Sequence, residues 1–518
     1  MPSRLRARLR RTTWPVVVVL VALVVIVGTA IAGVALYDAS PLHSGPKATT
    51  SIQPLRVPKP PASAMKVTPI AGKQKPNIVF IVTDDMRTDE LKYMPHVRKL
   101  LVDKGTDFTK AISPHPLCCP ARAEMTTGEY AQNNGVHHNN GTLGGYPALI
   151  EPGNNIGRWL QHAGYWTAFI GKYLNAYKGT KRIAGWNRWE AAIHDVYQYH
   201  RVNYYGVGPI KGYAAHTTTR YTQKAISAGH RSGKPFYVVS NYLAPHDQIG
   251  TGGRASQPVP EAKYKHACDH IRPAFLHDPA YMKPVRNGLP PGMNIQDHTS
   301  SVYVHEARQR ICSLKSVDDG VAKIVNTLRS TGELNDTDIV FVSDNGFDLG
   351  EHNLHGKNMI TDESLQVPIV IRGPHFPVDR KVSKPASLVD LPATYLQLGE
   401  AVPGRRQDGL SLLKVLQSKK PLRDTLLVQT GDTVLDSTPG FAYRGVDTQR
   451  YLYAIDPSKP SIGLLFDRQR DPHAMDNVFN DPRYAAVRAA LQKRLEALMP
   501  CSGSNCNQVF GPLPKPRG

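Results

Sequence analysis

Cysteine is scarce in this chain, with six among 518 residues. Around the pair Cys118-Cys119 no further cysteine stands at zinc-ligand spacing, which argues against a zinc-stapled module there. Acidic residues are also in deficit, 42 Asp and Glu against 63 Lys and Arg, for a formal net charge of +21. No RNA- or DNA-binding signature accompanies that basic excess, so no nucleic-acid partner is expected. Internal repeats are lacking, which argues against a solenoid or propeller. What remains is an ordinary globular composition, long enough for one large domain plus a smaller one. The basic balance favours anionic partners such as sulfated glycans or phospholipid, against the plainer reading of a solvated basic surface.

Long apolar runs are missing as well, except at the start. Arg4, Arg6, Arg8, Arg10 and Arg11 precede an uncharged stretch from Thr12 to Tyr37 dominated by Val, Ala, Leu and Ile. It is about long enough to cross a bilayer of roughly 30 Å. The arginines before it place the rest of the chain outside the cytoplasm. The expectation is an exported protein held to the membrane by an uncleaved anchor within residues 14–37, with a cleaved signal as the alternative. Residues 38–75, rich in Pro, Ser, Thr and Lys, read as an extended tether.

Six cysteines suit an exported protein. Cys501 and Cys506 are close enough to close a short loop, and Cys268 and Cys312 form a second candidate bridge. Cys118 and Cys119 are left over, and adjacent cysteines seldom bridge each other, so a chemical role for one of them becomes attractive. Connectivity itself is not fixed by sequence.

From Pro76 onward the chain alternates short apolar β-branched runs with segments of helical spacing. The runs are Ile78–Thr83, Thr167–Ile170, Phe236–Ser240, Asp338–Ser343 and Val367–Ile371; Met94–Lys104 and Asp318–Thr331 have helical spacing. That pattern predicts an α/β domain, a large, mostly parallel sheet sandwiched by helices, over residues 76–384. Residues 385–518 read as a smaller C-terminal α+β subdomain. It holds the short runs Leu426–Gln429, Phe441–Arg444 and Tyr451–Ile455 and a final helix over Arg483–Leu498.

Four of the predicted strands run into polar residues: Asp84-Asp85, Gly171-Lys172, Ala244-Pro245-His246 and Asp344-Asn345-Gly346. In such sheets ligands bind beyond the carboxyl ends of the strands. Asp84, Asp85, Asp344 and Asn345 offer hard oxygens that suit Ca²⁺, with Mg²⁺ as the alternative; the carboxylate-rich, protein-derived set favours Ca²⁺. Without a cation, three crowded carboxylates should repel and shift their pKa values upward. Taken singly, each pair is equally a turn or a helix cap. Pro120 is placed to open a helix running through Arg122 toward Gly128, with its free N–H groups facing an anion beside Cys118.

The run Cys118-Cys119-Pro120-Ala121-Arg122, ending in Thr127-Gly128, resembles the signature of formylglycine-dependent sulfatases. With Asp84-Asp85, Gly171-Lys172, His246, Asp344-Asn345-Gly346 and Gly356-Lys357 in the same order, the chain resembles a type I sulfatase of the alkaline phosphatase superfamily over roughly residues 76–500. Gly171-Lys172-Tyr173-Leu174-Asn175 and the Cys-Cys-Pro start are most similar to the N-acetylglucosamine-6-sulfatase and heparan-endosulfatase branch. Gly350-Glu351-His352 is more similar to bacterial arylsulfatases.

The resemblance implies that a formylglycine-generating enzyme oxidises Cys118 to an aldehyde, whose hydrate attacks the sulfur of an aryl sulfate or a sulfated aminosugar or glycan. It implies a metal site of Asp84, Asp85, Asp344, Asn345 and residue 118. Lys172, Lys357 and Arg122 would stabilise charge on the sulfuryl group, and His246 would be a general acid or a leaving-group contact. His137, His138 and Asn175 are candidates for the substrate mouth, and His352 and His355 for loop or supporting positions. One departure stands out. Where many relatives carry Lys-x-His, this chain has Lys172-Tyr173-Leu174, and leucine is no base. Two rival readings are a phosphonate or phosphate-ester hydrolase of the same superfamily, and a non-catalytic surface protein that binds sulfated glycans.

Overall fold

The computed structural model describes residues 75–194, 196–249, 255–296, 298–431 and 440–517. The expected anchor, and the expected tether apart from Lys75, lie outside the described residues. Among the described residues no helix is long and apolar enough to cross a membrane.

The main sheet has eight strands: β1 (Asn77–Thr83), β2 (Thr106–Phe108), β3 (Trp166–Gly171), β4 (Arg188–Ala191), β5 (Phe236–Asn241), β6 (Thr337–Ser343), β7 (Ile369–Arg372) and β8 (Arg380–Val382). Their spatial order is β8-β2-β7-β6-β1-β5-β3-β4. The run β6-β1-β5-β3-β4 is parallel throughout. The predicted run at Val367–Ile371 becomes β7, which lies antiparallel to both β6 and β2.

Continuous apolar strands are what a sheet covered on both faces requires. Alternation splits β1 between two cores: Ile78, Phe80 and Val82 point to one, Val79 and Ile81 to the other. The first core is closed by α1 (Cys118–Thr127), α2 (Ile156–His162) and, much later in the chain, a helix at Asp390–Gly399. The second is closed by α3 (Ala214–Arg231) and the 31-residue α4 (Ser300–Ser330), whose last part is the predicted segment at Asp318–Thr331. The segment at Met94–Lys104 is less regular than expected: one α turn at Pro95–Val97 passes into a π-helical turn at Arg98–Val102.

The boundary expected at residue 385 does not coincide with a new layer. Ala386–Ser387 pair with Ala111–Ile112, and α5 (Asp390–Gly399) sends Leu391, Tyr395 and Leu398 into the first core. After a short α6 (Leu412–Gln417), a second, antiparallel sheet begins at Thr425. Its strands β9 (Thr425–Gly431), β10 (Phe441–Thr448), β11 (Tyr451–Asp456) and β12 (Lys459–Asp467) pair in sequence order. One face is covered by α7 (Ala485–Leu498). The other, with Leu426, Val428 and Leu452, packs on Leu354, Met359 and Ile360, so the small sheet backs the segment that carries Lys357.

Both candidate disulfides are present, Cys268–Cys312 and Cys501–Cys506. Cys118 and Cys119 are free thiols, both fully buried.

Candidate active site

Strand register brings the sequence-distant residues together. Thr83 of β1 pairs with Ser343 of β6, so Asp84 and Asp344 leave the sheet side by side. Gly171 of β3 pairs with Asn241 of β5, which sets Lys172 at the same edge. Gly171 has a φ of +94°, and a Cβ there would sit 1.9 Å from the Asn241 carbonyl oxygen, so a glycine is required to turn the chain toward Lys172. Asp85 adopts a φ of +71°, uncommon for a residue with a side chain. It is held there from both sides: its N–H donates to Asp344 Oδ1 at 3.0 Å, and its carbonyl accepts from Arg310 of α4.

The thiol of Cys118 lies at the centre. Its Sγ is 3.4 Å from Asp84 Oδ1, 3.9 Å from Asp85 Oδ1 and 2.9 Å from Lys357 Nζ. Lys172 pairs with Asp84 and Lys357 with Asp85. Arg122 donates from Nε to Asp344 Oδ2 at 2.8 Å and from Nη1 to the Lys172 carbonyl and Asn241 Oδ1. Nε and Nη1 thus hold Asp344 and the turn at Lys172, while Nη2 faces Asp84 Oδ2 at 3.5 Å with no hydrogen-bond partner. His246 donates from Nδ1 to the Asp247 carbonyl at 2.7 Å, which leaves Nε2 facing the cluster, 3.7 Å from Asp85 Oδ2.

These charges set one another. Burial raises the Asp84 carboxyl, but Lys172, His246 and Arg122 reverse that and hold it far below the usual carboxylate range. Asp85 is likewise lowered, because Lys357 and His246 outweigh burial. The upward shift expected of all three carboxylates appears only at Asp344, which burial and the Asp84 charge push up to about 6. Burial, then Lys357, lowers His246 to about 4, so its Nε2 carries a lone pair at neutral pH.

The donor set fits a hard divalent ion. One ligand atom each from Asp84, Asp85, Cys118 and His246 lies within 4.8 Å of the others, all on buried residues. Asn345 adds a buried Oδ1 that has no hydrogen-bond partner, while its Nδ2 donates to Asp85 Oδ1 at 2.8 Å. Asp344, expected as a ligand, spends one oxygen on the Asp85 N–H and the other on Arg122. His246, expected only as a catalytic contact, stands within ligand reach.

Other expected positions fall further out. His137 stacks on Phe441 with ring centroids 4.3 Å apart, and His138 Nδ1 accepts from the Asn140 N–H at 3.3 Å. The His138 ring lies beside Gly431 at the end of β9, and the His137 ring beside Gly440 just before β10. Asn175 donates its N–H to Cys119 Sγ at 3.0 Å, which makes it a partner of the neighbouring cysteine. His355 pairs with Glu306, and His352 is buried. The anion cradle expected at the start of α1 is largely filled. The helix begins at Cys118 itself, Asn139 Oδ1 caps the Cys119 N–H at 2.8 Å, Pro120 has none, and the Ala121 N–H bonds to Leu117. Positive charge here comes from side chains instead.

Tyr197 and Arg310 were missed. The Tyr197 ring packs tilted against the His246 ring with centroids 4.6 Å apart, lies 4.6 Å from Lys172 Nζ, and donates its hydroxyl to Asn175 Oδ1 at 2.7 Å. It sits in a connection without periodicity, and no sequence signal marks it. Arg310 is fully buried in the middle of α4, paired with Glu90. An arginine among the core-facing positions of a helix was the available sign.

The family model described as "Sulfatase" matches residues 76–401, and one described as "N-sulphoglucosamine sulphohydrolase, C-terminal" matches residues 350–500. A putative extracellular sulfatase Sulf-1 homolog of Caenorhabditis elegans is 30% identical over 381 residues, 68% of this chain and 52% of the relative. A Drosophila melanogaster extracellular sulfatase homolog aligns over 32% of its own length, so the chain spans about half or a third of these two relatives. Human N-acetylglucosamine-6-sulfatase is 28% identical over 501 residues, 85% of this chain and 88% of that protein. Among solved structures, a protein in complex with its substrate D-glucosamine-2-N,6-O-disulfate superposes with a TM-score of 0.67 at 21% identity, covering 82% of this chain and 97% of that one. The phosphonate monoester hydrolase of Agrobacterium radiobacter superposes with a TM-score of 0.62, also at 21% identity, over 82% of this chain and 95% of that one.

Proposed function

Because this chain belongs to the sulfatase family, we propose that it hydrolyses sulfate esters with Cys118, acting in its oxidised aldehyde form, as the nucleophile. The observation that carries this reading is the meeting of Asp84, Asp85 and Lys357 on one buried sulfur. As a plain thiol that sulfur is a poor nucleophile, since burial and the Asp84 charge push its pKa well up. An aldehyde hydrate at the same place offers a hydroxyl within the reach of Lys357.

Asp84, Asp85, Asn345 and residue 118 would hold a divalent cation, Ca²⁺ by the carboxylate count, with His246 or Asp344 completing the set. When bound, it supplies positive charge that lowers the pKa of the nucleophilic hydroxyl and attracts the sulfuryl oxygens. Lys357 and Lys172 stabilise the charge that grows on the sulfuryl group and the leaving oxygen. Arg122 positions Asp344 and the Lys172 turn. His246 turns its Nε2 into the cluster, where it either completes the ligand set or contacts the leaving group; Leu174, a buried leucine, supplies no base. Tyr197 holds Lys172, His246 and Asn175 in register. We expect Tyr197→Phe, which keeps the ring and loses the bond to Asn175, to lower kcat/KM about threefold to tenfold. Tyr197→Ala, which removes all three contacts, is expected to cost about a hundredfold. Equal and small losses in both variants would remove the tyrosine from the machinery.

The relatives named as N-acetylglucosamine-6-sulfatases align over 80% or more of both chains, which supports a sulfated aminosugar or glycan as substrate class. Extracellular relatives and two disulfides fit an exported chain. The test is the mass of the tryptic peptide that carries residue 118, from protein made in its native host. We expect a loss of about 18 Da relative to cysteine. An unmodified peptide in active protein overturns the aldehyde mechanism.

A further inference from the structure

A cavity of about 330 Å³ lies away from Cys118, between the main sheet and the small one. Lys110, Lys419 and Lys420 stand on its rim, and Ile112, Val415 and Leu422 form apolar wall. All three lysines are exposed, and among the described residues no carboxylate forms an ion pair with them. The other cations of the lining are committed. Lys384 donates to the Val415 and Ser418 carbonyls at the end of α6, Arg423 pairs with Asp390, and Arg468 pairs with Asp362 and Asp447. Asp447 is held by Arg468, with Lys110 only a minor influence on it, and Asp424 is taken up by the Phe510 and Gly511 N–H groups. Arg423 is 3% exposed, and its Nε–H has no acceptor. Ser383 and Gln449 add a hydroxyl and an amide.

The cavity opens at the same edge of the main sheet as the reactive cluster. Val370 of β7 pairs with both Phe341 of β6 and Asp107 of β2. Lys110 therefore follows β2 as Asp344 follows β6, three residues beyond the same level, two strands away. At about 4.8 Å per strand that is a lateral offset of roughly 10 Å, a span that a linear oligosaccharide bridges.

We propose that this cavity is a second binding site for a sulfated oligosaccharide, holding one stretch of the chain by its anionic groups on the lysine rim and by its C–H faces on the apolar wall. The choice of ligand rests on the sulfate-ester reading above. The test is equilibrium titration of the full chain with a heparin-derived octasaccharide. The triple variant Lys110→Ser, Lys419→Ser, Lys420→Ser is compared with Lys99→Ser, Lys104→Ser, Lys234→Ser, which removes the same charge from exposed positions elsewhere. We expect the cavity variant to bind about tenfold more weakly and the matched variant to bind as the wild type does. Unchanged affinity in the cavity variant, or an equal loss in both, overturns the site. In parallel, kcat/KM toward a small aryl sulfate is expected to be unchanged in the cavity variant, and a fall there assigns the lysines to the reactive site instead. Binding is read without turnover, so failure of the sulfatase reading and failure of this site are separate results.

Discussion

A Cys118→Ala chain should lose at least about 10⁴-fold in turnover of aryl sulfate, with its fold intact and its divalent ion still bound. The size of the loss follows from removing a covalent nucleophile and not merely a contact. The fold is expected to survive because the ion pairs around the sulfur do not depend on it. Lys172 keeps Asp84, Lys357 keeps Asp85 and Arg122 keeps Asp344. Deleting one buried sulfur leaves a small void, a matter of about 1–2 kcal/mol. Steady-state kinetics with thermal unfolding on the same preparation checks both halves. Residual activity within tenfold of wild type would remove Cys118 from the reaction.

Stripping the divalent ion with a chelator should lower turnover at least about 10³-fold while the chain remains folded. The reason lies in a charge count. Asp84, Asp85 and Asp344 face Lys172, Lys357 and Arg122, three against three, so the apo cluster is already balanced. A bound dication gives the site two net positive charges, and a singly charged sulfate ester offsets one of them. Re-adding Ca²⁺ at about a hundred times its Kd should restore turnover and contribute about 2.7 kcal/mol of stability, read as a rise in Tm. Cooperative unfolding on chelation would show that the cation, and not the lysines, holds the carboxylates together. Recovery with Mg²⁺ at lower concentration than with Ca²⁺ would reverse the choice of metal.

The strands and their polar ends were legible because a doubly covered strand must be apolar along its whole length. Ile78–Thr83 and Asp338–Ser343 announce themselves that way. Their pairing was not legible, since nothing in either run states that Thr83 meets Ser343, and that register is what sets Asp84 against Asp344. The direction of β7 was hidden for the same reason. Charge compensation was hidden too: carboxylates read alone predict repulsion, whereas Lys172 and Lys357 arrive from loops 88 and 273 residues after Asp84. Asn139 closes the start of α1, and Tyr197 reaches Lys172 and His246, from connections whose course no periodicity describes.

The complete enclosure of Cys118 has a consequence for timing. In the folded chain its sulfur is 0% exposed, walled in by Asp84, Asp85 and Lys357. A macromolecular oxidant can meet that thiol only while these neighbours have yet to arrive from their distant places along the chain. If residue 118 is converted as proposed, its conversion is a race against self-closure, and protein that closes first is beyond later rescue unless it is unfolded again.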